Sequence, residues 1–282
     1  MNILSLGAGV QSTTLLLMSL HGDMPLYEAA IFADTGAEPD AVYKHLDWLE
    51  IQAAGHIKIM RVAKGNIEHD VMRSITHGER CSQPPFFVRH SDEESERKGL
   101  PPDTGGKLWR QCTHYFKLMP LQGALRALRG PMRKGKPTHE VFSHIGISLD
   151  EIQRSGKASG VPGVTNVYPL IERRMTRLDC VKWLKEHGYP EPPKSACYFC
   201  PFHSAHMWRE MKERDPETFA RAVKFDHALR AGGKLKNTNG EVYLHRSFIP
   251  LEEAVKTDAD NGQERLFDPF GFQNDCIGMC GV

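Results

Sequence analysis

Two groups of residues have types and spacing that could do chemistry: Gly7-Ala8-Gly9-Val10-Gln11-Ser12 near the start, and the cysteine pairs Cys197/Cys200 and Cys276/Cys280. The first group follows the apolar run 2–6 and leads into apolar sequence. A strand that ends in small residues and passes directly into a helix presents unpaired N–H groups at the positive end of the helix dipole, which suits a phosphate. Ser5, Gly7, Ala8, Gly9 and Ser12 have little bulk to keep an anion away. The stretch is not G-x-x-x-x-G-K-S/T, because it has no lysine, and not G-x-G-x-x-G, because Ser12 stands at the third glycine. Two converging thiolate pairs could satisfy tetrahedral zinc or a 4Fe-4S cluster, and the spacing does not separate them. Cys112 has Arg110, His114 and Lys117 as sequence neighbours, cations that would favour the thiolate needed for nucleophilic sulfur chemistry. Cys81 and Cys180 have no close partner and read as non-ligands.

These groups need a scaffold, and the chain alternates strand-like and helix-like stretches. Apolar runs at 2–6, 28–34, 56–62 and 139–148 predict strands; Val10–His21 and Pro39–Ala54 predict helices, the second with Val42, Leu46 and Leu49 at helical spacing. Such alternation predicts a parallel sheet of α/β type. Asp34, Thr35 and Gly36 then fall at the carboxyl end of the second strand, where open parallel sheets hold ligands. Arg154 with Lys157, and Arg173 with Arg174, follow later strands at the same edge and could take an anion. Residues 76–110, rich in proline and glycine, predict a long loop or mobile lid. Helices are expected at Leu118–Leu128, at Thr176–His187 with Thr176 as N-cap and Asp179 at N3, and at His203–Arg230 with a break near Asp215-Pro216. The expected division is 1–190, an α/β domain containing the 76–110 loop, and 191–282, a helical section with the cysteine pairs.

With 36 Lys plus Arg against 35 Asp plus Glu, there is no global field for a polyanion; any such surface is local, and Arg126–Pro137 is the candidate. No apolar run reaches the roughly 20 residues of a membrane span. The absence of a signal-like N-terminus and the seven cysteines, an odd number with four in close pairs, fit a soluble cytoplasmic protein with reduced thiols or a metal site.

The 7–12 stretch resembles the PP-loop, S-G-G-x-D-S, of the adenine nucleotide alpha-hydrolase superfamily, departing at Gly7, Ala8 and Gln11. "FADTGAEPDAVYKHLDWL" (32–49) resembles the F-x-D-T-G segment of the PAPS reductase-like branch. "RQCTHYFKLMPLQ" (110–122) is similar to that branch's C-x-x-x-x-K-x-x-P-L element, with Thr113 where adenylylsulfate reductases carry a second cysteine. Residues 167–202 follow its later segment, with Pro169, Thr176 and Trp183 as landmarks, so the likeness covers most of 1–208.

The resemblance implies a single Rossmann-like (HUP-type) parallel sheet with helices on both faces, plus a helix-rich C-terminal section bearing a cysteine metal or cluster site. It implies an adenine nucleotide, ATP with Mg²⁺ or PAPS, held by Ser5, Gly7, Ala8, Gly9, Gln11, Ser12, Asp34, Thr35 and Gly36. Arg154, Arg173 and Arg174 would bind anion or substrate, and Cys112 and Lys117 would be catalytic. Relatives favour a 4Fe-4S cluster over zinc on Cys197, Cys200, Cys276 and Cys280; a competing set takes Cys112, Cys197 and Cys200 with one tail cysteine. Two reactions follow: adenylation of a substrate for sulfur insertion, as in nucleic-acid thiolation, or reduction of a sulfonucleotide to sulfite. The tail lacks the E-C-G-x-H-type motif of PAPS reductases, which favours the first. A non-enzymatic, zinc-stabilised nucleotide- or nucleic-acid-binding module is the third reading. Expected partners are a nucleic-acid substrate, a sulfur donor or reductant protein and a second copy in a homodimer, with no membrane.

Overall fold

The computed structural model describes residues 1–101, 104–231, 235–236 and 238–256. They form two compact units, Met1–Lys64 with Thr113–Ala196, and Gly65–Cys112 with the described residues from Cys197 onward. This differs from the expected single boundary near 190, because the chain passes between units at 64–65, 112–113 and 196–197.

The first unit holds the sheet: β1 (Asn2–Ser5), β2 (Ala29–Asp34), β3 (Lys58–Ala63), β4 (Val141–Ile145) and β5 (Val164–Val167). All pairings are parallel and the order is β3-β2-β1-β4-β5, so the direction of winding reverses between β1 and β4. Around it lie helices α1 (Val10–His21), α2 (Asp40–Ala53), α3 (Met119–Arg129) and α4 (Arg177–Glu186). Strand residues alternate between faces, and the sequence obeys this. Leu4, Ala30 and Phe32 pack with Leu15, Leu16, Val42, Leu46 and Leu184 on one face; Ile3, Ala29 and Ile31 pack with Leu121 and Leu125 on the other. The sheet is thus covered on both faces and fits a Rossmann-like fold.

Two local expectations appear in full. Thr176 and Asp179 form a capping box at the start of α4, a feature worth about 1 kcal/mol. The expected His203–Arg230 helix is divided into Ala205–Arg214 and Pro216–Ala231, since a proline cannot continue the hydrogen-bond ladder.

Between α1 and α2, Thr13 Oγ1 lies 3.0 Å from His45 Nε2, and His45 stacks on Trp48. Burial lowers the His45 pKa to about 4. The folded state therefore resists a proton that the unfolded chain accepts near pH 6.5, and stability is complete above that pH. Stability should fall between about pH 6.5 and 4, by up to about 3 kcal/mol, and His45→Gln should flatten that limb in denaturant titrations across this range.

In the second unit, Phe87–Arg89 pairs antiparallel with both Gly105–Lys107 and Glu241–Tyr243. The stretch 76–110 is therefore more structured than the expected loop. It also contains the helix Asp92–Lys98, whose N-cap Ser91 accepts from the Glu94 N–H, with acids in its first turn and Arg97 and Lys98 in its last, a charge order that complements the dipole. The core stacks Phe199 on Phe225 at 4.1 Å. The fully buried Asp226 accepts from the N–H groups of Leu244 and Leu251 and from Arg230, tying the helix Pro216–Ala231 to the segment that follows it. Among the described residues no helix is long and apolar enough to cross a membrane.

Candidate functional site

The loop between β1 and α1 braces itself. Ala8 takes a left-handed backbone (φ 56°), Gly9 is extended, and no side chain caps α1. Ser12 Oγ accepts from Gly7 N–H at 3.1 Å and donates to Gly9 O at 3.3 Å. The first bond within the helix runs from Thr13 N–H to Gly9 O, so the N–H groups of residues 10–12 precede it and form the positive end of α1.

The chain following β4 closes onto this end. A Cβ on Gly146 would stand 2.9 Å from Ser12 N and 3.2 Å from Gln11 C, so only glycine allows the approach. Gln11, almost fully buried, donates through Nε2 to Glu151 Oε2 at 3.1 Å and to Ser148 Oγ at 3.4 Å, while its Oε1 accepts from Arg177 Nη1 at 3.5 Å. Arg154 pairs with Glu151 through its Nη1, and the Arg177 N–H donates to Asp150 at 3.0 Å. Gln11 is thus held at both ends, by a carboxylate and a guanidinium. Ser195 Cβ would touch a Cβ on Gly9 at 3.8 Å, and its Oγ is buried with no hydrogen-bond partner among the described residues.

Asp34-Thr35-Gly36 lies at the carboxyl end of β2 as a tight turn. Asp34 Oδ1 accepts from Gly36 N–H and Tyr43 OH, both at 2.8 Å, and Gly36 has φ 73°. Burial, with Asp34 beside it, raises the Tyr43 pKa. Thr35 Oγ1 donates to Glu38 Oε1 at 3.4 Å, and Lys117 Nζ reaches the same oxygen at 3.2 Å. The Glu38 side chain is wholly buried and that of Lys117 nearly so. Lys117 and Thr35 thus meet on one oxygen of the buried Glu38 carboxylate.

The arginines separate. Arg154 joins the loop network through Glu151 and, with Lys157, Ser143, Asn166 and Tyr168, lines a cavity of about 80 Å³. Arg173 donates to the Asp23 carbonyl, just past the carboxyl end of α1 and away from the loop, and Arg174 is exposed. Cys112 is half-buried in the second unit, as are Cys197 and Cys200, which share a turn closed by Cys200 N–H to Cys197 O at 2.9 Å. Cys276 and Cys280 lie outside the described residues. Among the described residues no three His, Cys, Asp or Glu side chains gather to hold a metal, the set Cys112, Cys197 and Cys200 included. Cys180 is buried in α4 and its pKa is raised to about 12 by burial; burial also raises that of Cys81, and both thiols are poor ligands in that state.

Glu38, Ser148, Glu151, Arg177 and Ser195 were not among the residues singled out in the sequence. Arg177 carried one usable signal: it is the first residue of a helix whose cap is legible in Thr176 and Asp179.

Fold and site together define an open parallel α/β chain in which the start of α1 lies where the strand order reverses. No protein-family model matches the chain, and no curated protein matches it. Among solved structures it is similar to the phosphate complex of phosphoadenylyl-sulfate (PAPS) reductase from Candida auris, at 16% identity over 68% of this chain and 74% of that one, with a TM-score of 0.35.

Proposed function

We propose that the chain is a nucleotide-dependent enzyme of PP-loop type that adenylates a substrate for sulfur insertion, with a nucleic acid as acceptor. The observation that carries the reading is the hydrogen bond from Gln11 Nε2 to Glu151 at 3.1 Å. The resembled loop has an aspartate at position 11; here a neutral amide stands there and is hydrogen-bonded to the Glu151 carboxylate. ATP, with Mg²⁺ on its phosphates, would lie across the carboxyl ends of β1 and β4. A substrate oxygen attacks the α-phosphorus, the bond to the bridging oxygen breaks, and pyrophosphate leaves against the N–H groups of residues 10–12 and the Arg177 guanidinium. Hydrosulfide from a donor protein then attacks the activated carbon, the new C–S bond forming as the C–O bond to AMP breaks, and AMP leaves with that oxygen.

Lys117 acts in this reading as a positioning residue, through Glu38 and Thr35. Cys197 and Cys200, on one turn, suit two ligands of a 4Fe-4S cluster or zinc, with Cys276 and Cys280 as the others; the bound group would supply a sulfur-handling or electron-carrying centre. A polyanionic acceptor is supported by residues 126–137. Met132–Arg133 and Lys136–Pro137 form a hairpin whose tip, Lys134 (φ 49°) and Gly135 (φ 77°), presents Arg133, Lys134 and Lys136 to solvent.

Pyrophosphate release from ATP tests the reading. Arg177→Ala should lower its rate about 10²- to 10³-fold, the cost of removing a donor to developing charge. Sulfite release from PAPS without pyrophosphate release from ATP would replace adenylation by sulfonucleotide reduction.

A further inference from the structure

Trp109 is 80% exposed. A large indole held in water is unusual unless a partner covers it. Its backbone is not loose. Leu108 N–H donates to Phe86 O at 2.8 Å and Gln111 N–H to Gln83 O at 3.1 Å, so Trp109 and Arg110 sit between two pinned points. The strand leading to them, Gly105–Lys107, is exposed and pairs only with Phe87–Arg89 among the described strands. It is pressed against Phe248, to the point that a Cβ on Gly105 would stand 2.6 Å from that ring.

Cations flank the indole on both sides in sequence. Lys107 Nζ lies 4.8 Å and the Arg110 guanidinium carbon 5.8 Å from the centroid of one ring, Phe202. Cation–π contact anchors both charges to a common support. The result is an exposed indole in a backbone pinned on either side, with a cation two residues before it and another one residue after it. An apolar protein surface would have to desolvate both cations, and a duplex has its bases already stacked. A single-stranded polynucleotide supplies both complements, an unpaired base for the ring and phosphates for the cations.

We propose that Trp109, Lys107 and Arg110 form a stacking site for single-stranded nucleic acid; this rests on the reading of a nucleic acid as acceptor. The test is fluorescence anisotropy of labelled single-stranded DNA and RNA of about 15 nucleotides and mixed sequence, with the full chain at low salt. Trp109→Ala should weaken binding about tenfold or more, and Trp109→Phe should restore most of it. Lys107→Gln with Arg110→Gln should make the slope of log affinity against log salt shallower by about 1.4, two phosphate contacts for a single strand. Because Trp109 lies on the surface, its variants should keep the wild-type melting temperature. Loss of oligonucleotide binding in Trp109→Ala would uphold the site even if ATP is not turned over, whereas unchanged binding would overturn it. Self-association of the wild type without nucleic acid that vanishes in Trp109→Ala would also overturn it, assigning the patch to a second copy.

Discussion

Lys117→Met should destabilise the protein by about 3–5 kcal/mol, because it leaves the Glu38 carboxylate buried and uncompensated. That side chain has no solvent exposure, and its second oxygen, Oε2, has no hydrogen-bond partner among the described residues. Glu38→Gln with Lys117→Met should recover much of the loss, since replacing both members of a buried pair is far less costly than removing one. Urea titration of the two single variants and the double variant measures the coupling. If Lys117→Met unfolds at the wild-type midpoint with an unchanged slope, the pair is not the buried brace described above.

Gly146→Ala should lower pyrophosphate release about 10²-fold and cost about 1–3 kcal/mol in stability. The added methyl would meet Ser12 N at 2.9 Å and Gln11 C at 3.2 Å. Those atoms are backbone, which cannot swing aside as a side chain can. The start of α1 must therefore move, carrying with it the N–H groups of residues 10–12. Gly123→Ala is the control. It lies in α3 with nothing within 4 Å of the added carbon, and it should leave activity intact and raise stability by about 0.5–1 kcal/mol. Equal activity losses in both variants would show that the effect is not specific to the loop.

Much of the scaffold was legible because its causes are local. The apolar alternation of Ile3 and Leu4, the helical spacing of Val42, Leu46 and Leu49, the cap at Thr176 and the break at Pro216 each depend on residues a few positions apart. The stretch 76–110 was misread for a related reason. Its strands, Phe87–Arg89 and Gly105–Lys107, are too short to show a period, and Phe87–Arg89 also pairs with Glu241–Tyr243, far along the chain.

By itself, then, the sequence determined an alternating α/β scaffold, a small-residue loop entering α1, an acidic turn after β2 and a close cysteine pair at Cys197 and Cys200. Only the tertiary structure decided which side chains those features meet. Gln11 is joined to Glu151, 140 residues away, and to Arg177, 166 residues away, because β4 lies beside β1 in the sheet. Lys117 meets the buried Glu38, 79 residues before it, and Arg173 reaches the carbonyl just past the carboxyl end of α1. Sequence spacing governs local conformation through backbone geometry, whereas a charge finds its partner through burial, and burial is set by how the strands are ordered.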